Sequence, residues 1–134
     1  MQDNNAKIFI KNKQITEDGE DVLTVNVPCK FMVRDNSVYI LYKDEGISSK
    51  IKTDGESVTV TRMGEFSNEM VYKEGKKTGF LYKMPYGTLD MELKTNEVFV
   101  DLSENGCEIK LSYELFFSGT GSKNSMEITV KKLS

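Results

Sequence analysis

Hydrophobic residues occupy every second position along almost the whole chain, and this alternation changes phase at a few turn-like sequences. Successive side chains of a β-strand point to opposite faces, so the alternation predicts half-buried strands. In LYKMPYGTLDMEL, residues 81–93, the apolar set falls on even numbers up to Met84 and on odd numbers from Leu89. A strand running straight on would turn mainly polar residues into the core, which is costly. The phase change therefore predicts a hairpin or a bulge at Pro85.

The turn sequences provide a numerical check on this assignment. Across a two-residue hairpin, the numbers of opposite residues add up to a constant odd number, so the inward set changes from even to odd. Asp-Gly and Asn-Gly pairs suit such turns because they tolerate positive φ angles. The predicted central pairs are Asp18-Gly19, Asp35-Asn36, Asp54-Gly55, Pro85-Tyr86 and Asn105-Gly106. They predict the facing pairs Ile10 with Val27, Val33 with Val38, Ile51 with Val58, Tyr82 with Leu89, and Leu102 with Ile109.

The same pattern predicts ten or eleven strands, with each strand paired to the next. The predicted ranges are 6–16, 21–34, 37–44, 47–53, 57–63, 68–74, 78–84, 87–94, 97–104, 107–117 and 125–132, and the longest loop is GTGSKNS, residues 119–125. No room remains for crossover helices. An antiparallel meander with one apolar face must cover that face by closing into a barrel or folding into a sandwich. Sequential hairpins favour a single all-β domain over residues 1–134, an up-and-down meander closed into a barrel.

Composition removes several classes of function. The 134 residues contain no histidine, so the commonest general base, nucleophile partner and transition-metal ligand is missing, and we predict no catalytic residue, metal site or cofactor. The net charge of -3 provides no broad positive field for nucleic acid. No apolar stretch reaches the ~20 residues of a membrane helix, and the start lacks the core of a signal peptide. We expect a cytoplasmic protein that binds neither nucleic acid nor membrane.

Two cysteines, Cys29 and Cys107, fall on the inward phase of their predicted strands. A reactive thiolate needs a cationic and partly exposed setting, whereas these positions are apolar. We predict two buried, reduced thiols rather than a disulfide or a nucleophile.

The inward face also contains side chains that are unusual for a barrel core. Arg62 continues the face of Val58 and Val60, and a buried guanidinium must be paired. One interpretation is a structural clamp across the end of the barrel, and the other is an anchor for a ligand carboxylate or phosphate. Tyrosine and methionine at inward positions either fill an irregular core or line a pocket with directed hydroxyl groups. The predicted ligand-binding residues are Arg62, Tyr82, Tyr42, Tyr72, Met70 and Tyr113.

Residues 61–95, TRMGEFSNEMVYKEGKKTGFLYKMPYGTLDMELKT, carry a family resemblance. The matching residues are Arg62, Gly64, Ser67, Met70, Gly75, Tyr82, Pro85, Tyr86, Gly87 and Thr95. On these residues the chain resembles the YwiB-like proteins, an uncharacterised bacterial family with a lipocalin-like (calycin) β-barrel. Met84 stands where the family is expected to have threonine. The resemblance implies a lipocalin-like barrel and a cytoplasmic bacterial origin, and it supplies no site residues.

Two functions follow from these features as alternatives. In the first, the barrel binds a small hydrophobic or anionic ligand in its interior, with Arg62 and tyrosines such as Tyr82 orienting the polar end. In the second, the barrel is filled and acts as an interaction or scaffold protein, through a homodimer or an outer patch that includes Phe66, Phe99 or Phe116. We do not predict an enzyme. The interior of the barrel, hollow or filled, distinguishes the two alternatives.

Overall fold

The computed structural model describes residues 4–133, in which the chain forms ten antiparallel β-strands. The strands are β1 (Ala6–Thr16), β2 (Gly19–Arg34), β3 (Ser37–Asp44), β4 (Ile47–Thr53), β5 (Ser57–Met63), β6 (Asn68–Lys73), β7 (Lys77–Met84), β8 (Gly87–Ser103), β9 (Gly106–Phe117) and β10 (Thr120–Lys132). Over this part of the chain, no helix is long and apolar enough to cross a membrane.

The strands form one sheet in the order β6-β5-β4-β3-β2-β1-β10-β9-β8-β7. The first and last strands pair in the middle of this sheet, and its two edges are β6 and β7. Ser67 and Lys83 join the edges at one end by exchanging backbone hydrogen bonds of 3.0 and 2.8 Å. At the other end Thr95 accepts from the N–H of Gly75 at 2.9 Å and donates to the carbonyl of Lys76 at 3.0 Å. The predicted all-β antiparallel barrel is confirmed, whereas the expected pairing of each strand with the next is wrong for β6 and β7.

Two of the predicted hairpins have the predicted register. Asp35 and Asn36 have φ angles of 52° and 68°, as both central residues of a type I′ turn require, and Val33 faces Val38. At the Pro-Tyr-Gly sequence, β7 and β8 form a hairpin in which Tyr82 faces Leu89. The phase change at Pro85 is therefore a chain reversal.

Three other registers differ from the prediction by two residues. Ile10 faces Val25, Ile51 faces Val60 and Leu102 faces Cys107. At the first and third of these turns, the glycine follows the two central residues instead of being one of them. Gly19 has a φ of 128° and Gly106 a φ of 147°. A shift of two residues leaves every side chain on its original face, so the inward and outward assignment is unaffected.

Two predicted boundaries are also wrong. Segments 87–94 and 97–104 belong to the single strand β8, whose register shifts at a bulge between Thr95 and Glu97. A bulge adds one unpaired residue and so changes the phase without reversing the chain. The predicted loop at residues 119–125 lies mostly inside β10, because Ser118 and Gly119, with φ angles of 49° and 81°, form a two-residue turn.

The buried core occupies the half of the barrel that contains the start of β1 and the end of β10. Side chains with less than 2% exposure there include Ile8, Ile109 and Ile128. Both cysteines are buried and free, as predicted. Val33, which the alternation places inward, is 66% exposed because it lies at the rim, beyond the packed interior.

Candidate functional site

The inward face of the barrel changes from apolar to polar partway along two central strands. On β1, the buried Ile8 and Ile10 are followed by the partly exposed Asn12 and Gln14. On the adjacent β10, Ile128 and Met126 give way in the same direction to Asn124. The interior is therefore packed at one end and polar towards the other, which we call the open end.

A cavity of about 470 Å³ fills the open end. Its apolar wall is formed by Leu23, Met70, Phe80, Leu89, Met91, Leu115 and Met126. Leu23 is 71% exposed although its side chain lies on the inward face, which shows that the cavity opens to solvent there. The volume lies within the roughly 300–1,000 Å³ of typical small-molecule sites. The barrel is thus filled in one half and hollow in the other.

A smaller cavity of about 190 Å³ adjoins the first. Asn12, Leu23, Arg62 and Met126 line both, so the two cavities share a wall that includes the guanidinium-bearing side chain. The remaining walls of the smaller cavity are Ile10, Val25, Tyr42, Asp44, Glu45, Ile47 and Ser49.

The structure brings all six predicted ligand-binding residues to these cavities. Met70, Tyr72, Tyr82 and Tyr113 line the larger cavity, Tyr42 lines the smaller one, and Arg62 lines both. These side chains come from different strands, and they meet because the barrel closes and brings β6 and β7 near β9.

Arg62 extends from β5 between Ser49 of β4 and Asn68 of β6, its cross-strand partners. Within residues 4–133, no Asp or Glu oxygen lies within 4.0 Å of its guanidinium. The clamp interpretation requires a protein partner for this charge, and the described residues supply no carboxylate. A charged and partly buried group that lines two cavities is instead available to a bound molecule.

Tyr72 and Tyr113 form the inner boundary of the larger cavity, next to the packed core. Their rings meet edge to face with centroids 4.9 Å apart. The side-chain amide of Asn12 donates to the Tyr113 hydroxyl at 3.3 Å, and the Tyr72 hydroxyl donates to Sδ of Met70 at 3.7 Å. Burial raises the pKa of both phenols and outweighs the opposing effects, which are the hydrogen bonds to Tyr113 from Asn12 and Tyr72 and the nearby charge of Arg62. Both tyrosines therefore remain neutral hydrogen-bonding groups at physiological pH.

Sequence reasoning missed several polar residues of the site. Asn12 and Gln14 continue the even-numbered face of Ile8 and Ile10, and Asn124 likewise continues the face of Met126. Gln14 and Asn124 both donate to the Ser122 hydroxyl, at 3.2 and 3.0 Å. The alternation would have identified them if it had been followed beyond the last apolar residue of each strand.

Three carboxylates also line the cavities. Asp21 lies on the wall of the larger cavity, and Asp44 and Glu45 lie on the wall of the smaller one. Asp21 and Glu45 are exposed and Asp44 is partly buried, so these groups lie close to solvent. Among residues 4–133, no cluster of three His, Cys, Asp or Glu side chains is arranged to hold a metal ion.

Two of the three phenylalanines of the alternative interaction patch are half-buried. Phe66 is half-buried and its ring lies 6.3 Å from that of Tyr82. Phe116 is also half-buried, and Nζ of Lys77 lies over its ring, 5.6 Å from the ring centroid. Phe99 is 49% exposed. The hollow interior favours the ligand-binding alternative.

Comparisons with known proteins identify the family and the fold. A family model described as "Domain of unknown function (DUF1934)" matches residues 8–129. The "Uncharacterized beta-barrel protein YwiB" of Bacillus subtilis (strain 168) is 30% identical over 115 residues, which cover 81% of this chain and 80% of that protein. The crystal structure of ywiB protein from Bacillus subtilis superimposes with a TM-score of 0.88 at 21% identity, over 98% of this chain and 93% of that one. These matches support the resemblance drawn from residues 61–95.

Proposed function

The chain belongs to the DUF1934 family of YwiB-like β-barrel proteins, whose function is unknown, and we propose that it binds a small, partly hydrophobic molecule in the open half of its barrel. The observation that carries this proposal is the solvent-connected cavity of about 470 Å³. A barrel that served only as a scaffold would gain stability from filling this space, because buried apolar contacts are the main source of folding free energy.

The chemistry of the lining supports a ligand with an apolar body and a polar end. Seven apolar side chains surround the larger cavity, and methionine makes up three of them, Met70, Met91 and Met126. Methionine adapts to irregular shapes because it is unbranched and polarizable. Burying roughly 200 Å² of apolar ligand surface would contribute about 5 kcal/mol before the entropic cost of association. Arg62 and the tyrosine hydroxyls would orient the polar end.

The proposal assigns no catalytic step to the protein. The sequence has no histidine, which is the commonest general base and the usual partner of a serine or cysteine nucleophile. We also propose that the protein acts in the bacterial cytoplasm, where buried free thiols such as Cys29 and Cys107 remain reduced. Self-association stays a prediction that light scattering at several protein concentrations would test.

A thermal-shift screen of small amphipathic molecules on matched variants would test the binding site. Leu89→Trp adds bulk inside the larger cavity, whereas Leu81→Trp adds the same side chain on the outer face of β7, where Leu81 is 49% exposed. Molecules that stabilise the native protein should also stabilise Leu81→Trp and should lose their effect on Leu89→Trp. Equal stabilisation of both tryptophan variants would place binding elsewhere and contradict the proposal.

A further inference from the structure

The charges that line the two cavities are not those of a site for a simple anion. Among residues 4–133, Arg62 provides the one positive side chain of the combined lining, and Asp21, Asp44 and Glu45 provide three negative ones. An anion bound at Arg62 would therefore meet a lining with a net negative charge. Repulsion between the anion and these carboxylates would select against a ligand that carries only negative charge.

The positive and negative groups occupy different depths of the barrel. Arg62 lies level with Tyr42 in the cross-strand register, because both are partners of Ser49. Asp44 follows Tyr42 by two residues towards the open end, and Glu45 lies in the turn beyond it. Two residues of a strand span ~7 Å, so the carboxylates lie one step closer to solvent than the guanidinium. One ligand of modest length can contact both levels.

Resting on the proposed function, we infer that the ligand carries an anionic group for Arg62 and a cationic group for Asp44 and Glu45. Its apolar part occupies the larger cavity among Phe80, Leu89, Met91 and Leu115. A hydrophobic amino acid or a similar apolar zwitterion has this chemistry. Such a ligand gives the guanidinium the carboxylate that it lacks among residues 4–133, and its ammonium group offsets the negative lining.

Four probes that share a phenyl group separate the contributions of the ligand's positive and negative charges to binding affinity. Phenylalanine has both charges, 3-phenylpropionate has only the negative one, phenethylamine has only the positive one, and 3-phenyl-1-propanol has neither. Isothermal titration at low salt should show phenylalanine binding about tenfold more tightly than either singly charged probe, since each partly exposed ionic contact contributes modestly. Binding of 3-phenylpropionate as tight as that of phenylalanine would overturn the inference and leave the proposed function standing.

Substitutions in the protein test which side chain contacts each charge of the ligand. Arg62→Met should weaken the binding of phenylalanine and 3-phenylpropionate and should strengthen that of phenethylamine, because the substitution removes a like charge. The double substitution Asp44→Asn with Glu45→Gln should weaken phenylalanine and strengthen 3-phenylpropionate. The matched control is Asp101→Asn with Glu104→Gln, which makes the same change of charge at exposed positions at the other end of the barrel. If the control moved the affinities equally, the effect would be one of net charge and the inference would fail.

The neutral probe tests the binding site separately from the charges assigned to the ligand. Measurable binding of 3-phenyl-1-propanol that is lost in Leu89→Trp supports the cavity as a binding site whatever the charge preference. If none of the four probes bound, the cavity would not be a site for apolar molecules of this size. That result would contradict the proposed function and the charge assignment together.

Discussion

Arg62 lies directly opposite Ser49 in the ladder between β4 and β5, so its guanidinium enters the barrel beside a small polar side chain and not beside a carboxylate. The sequence left two interpretations of this arginine open, a structural clamp and a ligand anchor. They predict opposite effects on the stability of the ligand-free protein.

Arg62→Met should leave the ligand-free protein as stable as the native protein or raise its free energy of unfolding by up to about 1 kcal/mol. The reason is that a partly buried charge with no ionic partner among the residues that the structure describes costs desolvation energy, whereas methionine fills similar space without that cost. Urea denaturation measures the difference, with Lys50→Met on the exposed face of β4 as the control. A loss of more than about 2 kcal/mol would support the clamp.

Gly106→Ala should be much more destabilising than Gly19→Ala. Both glycines have positive φ angles, of 147° and 128°, so alanine introduces backbone strain of about 1–3 kcal/mol at either position. At Gly106 a Cβ atom would also collide with the backbone carbonyl of Val130, whereas at Gly19 nothing lies within 4 Å. Thermal denaturation should show a substantially lower midpoint for Gly106→Ala. Similar midpoints would mean that β9 and β10 separate easily at this point.

Tyr72 should lower the stability of the folded protein at alkaline pH. Burial raises its pKa, so the folded state favours the protonated phenol, and this contribution to stability is complete below the ordinary tyrosine pKa of about 10. The contribution is lost as the pH rises above that value, by up to about 1.4 kcal/mol per pH unit for one group. Urea denaturation between pH 9 and pH 11.5 should show a shallower decline for Tyr72→Phe. Tyr86→Phe, whose ring is 82% exposed, should retain the native slope.

Cys29 and Cys107 should resist a thiol reagent at pH 8 until the protein unfolds. Burial raises the pKa of Cys29 to about 11 and that of Cys107 to about 12, so almost no thiolate is present and the sulfur atoms are also shielded. Absorbance measurements of labelling with an aromatic disulfide should show no rapid phase in buffer and two equivalents in urea. Rapid labelling of either cysteine in the folded protein would show that this end of the barrel opens readily.

The alternation predicted the inward face well because that property depends only on whether a residue number is odd or even. An error of two residues at Asp18-Gly19 or Asn105-Gly106 changed the facing partners and left the inward set intact. The registers themselves depend on whether glycine is a central residue of the turn or follows it. Both arrangements satisfy the same backbone requirement for a positive φ angle, and so the sequence does not distinguish them.

The site was predicted in part for the same reason. Arg62 and Tyr72 were recognisable as unusual side chains on an apolar face, whereas Gln14 and Asn124 resembled the ordinary polar ends of strands. That these polar ends surround one hollow space depends on the closure of the sheet. The order of strands around the barrel could not be derived from local alternation, and the missing ladder between β6 and β7 was not foreseen.

The seam between β6 and β7 has a topological consequence. Ala6 and Lys132 are partners at the junction of β1 and β10, so a short linker could connect residues near the two ends of the chain. If the backbone were then cut at residues 74–76, the strands would follow one another in the order in which they lie around the barrel, and every long ladder would join consecutive strands. The native fold is thus a circular permutation of a simple ten-strand meander.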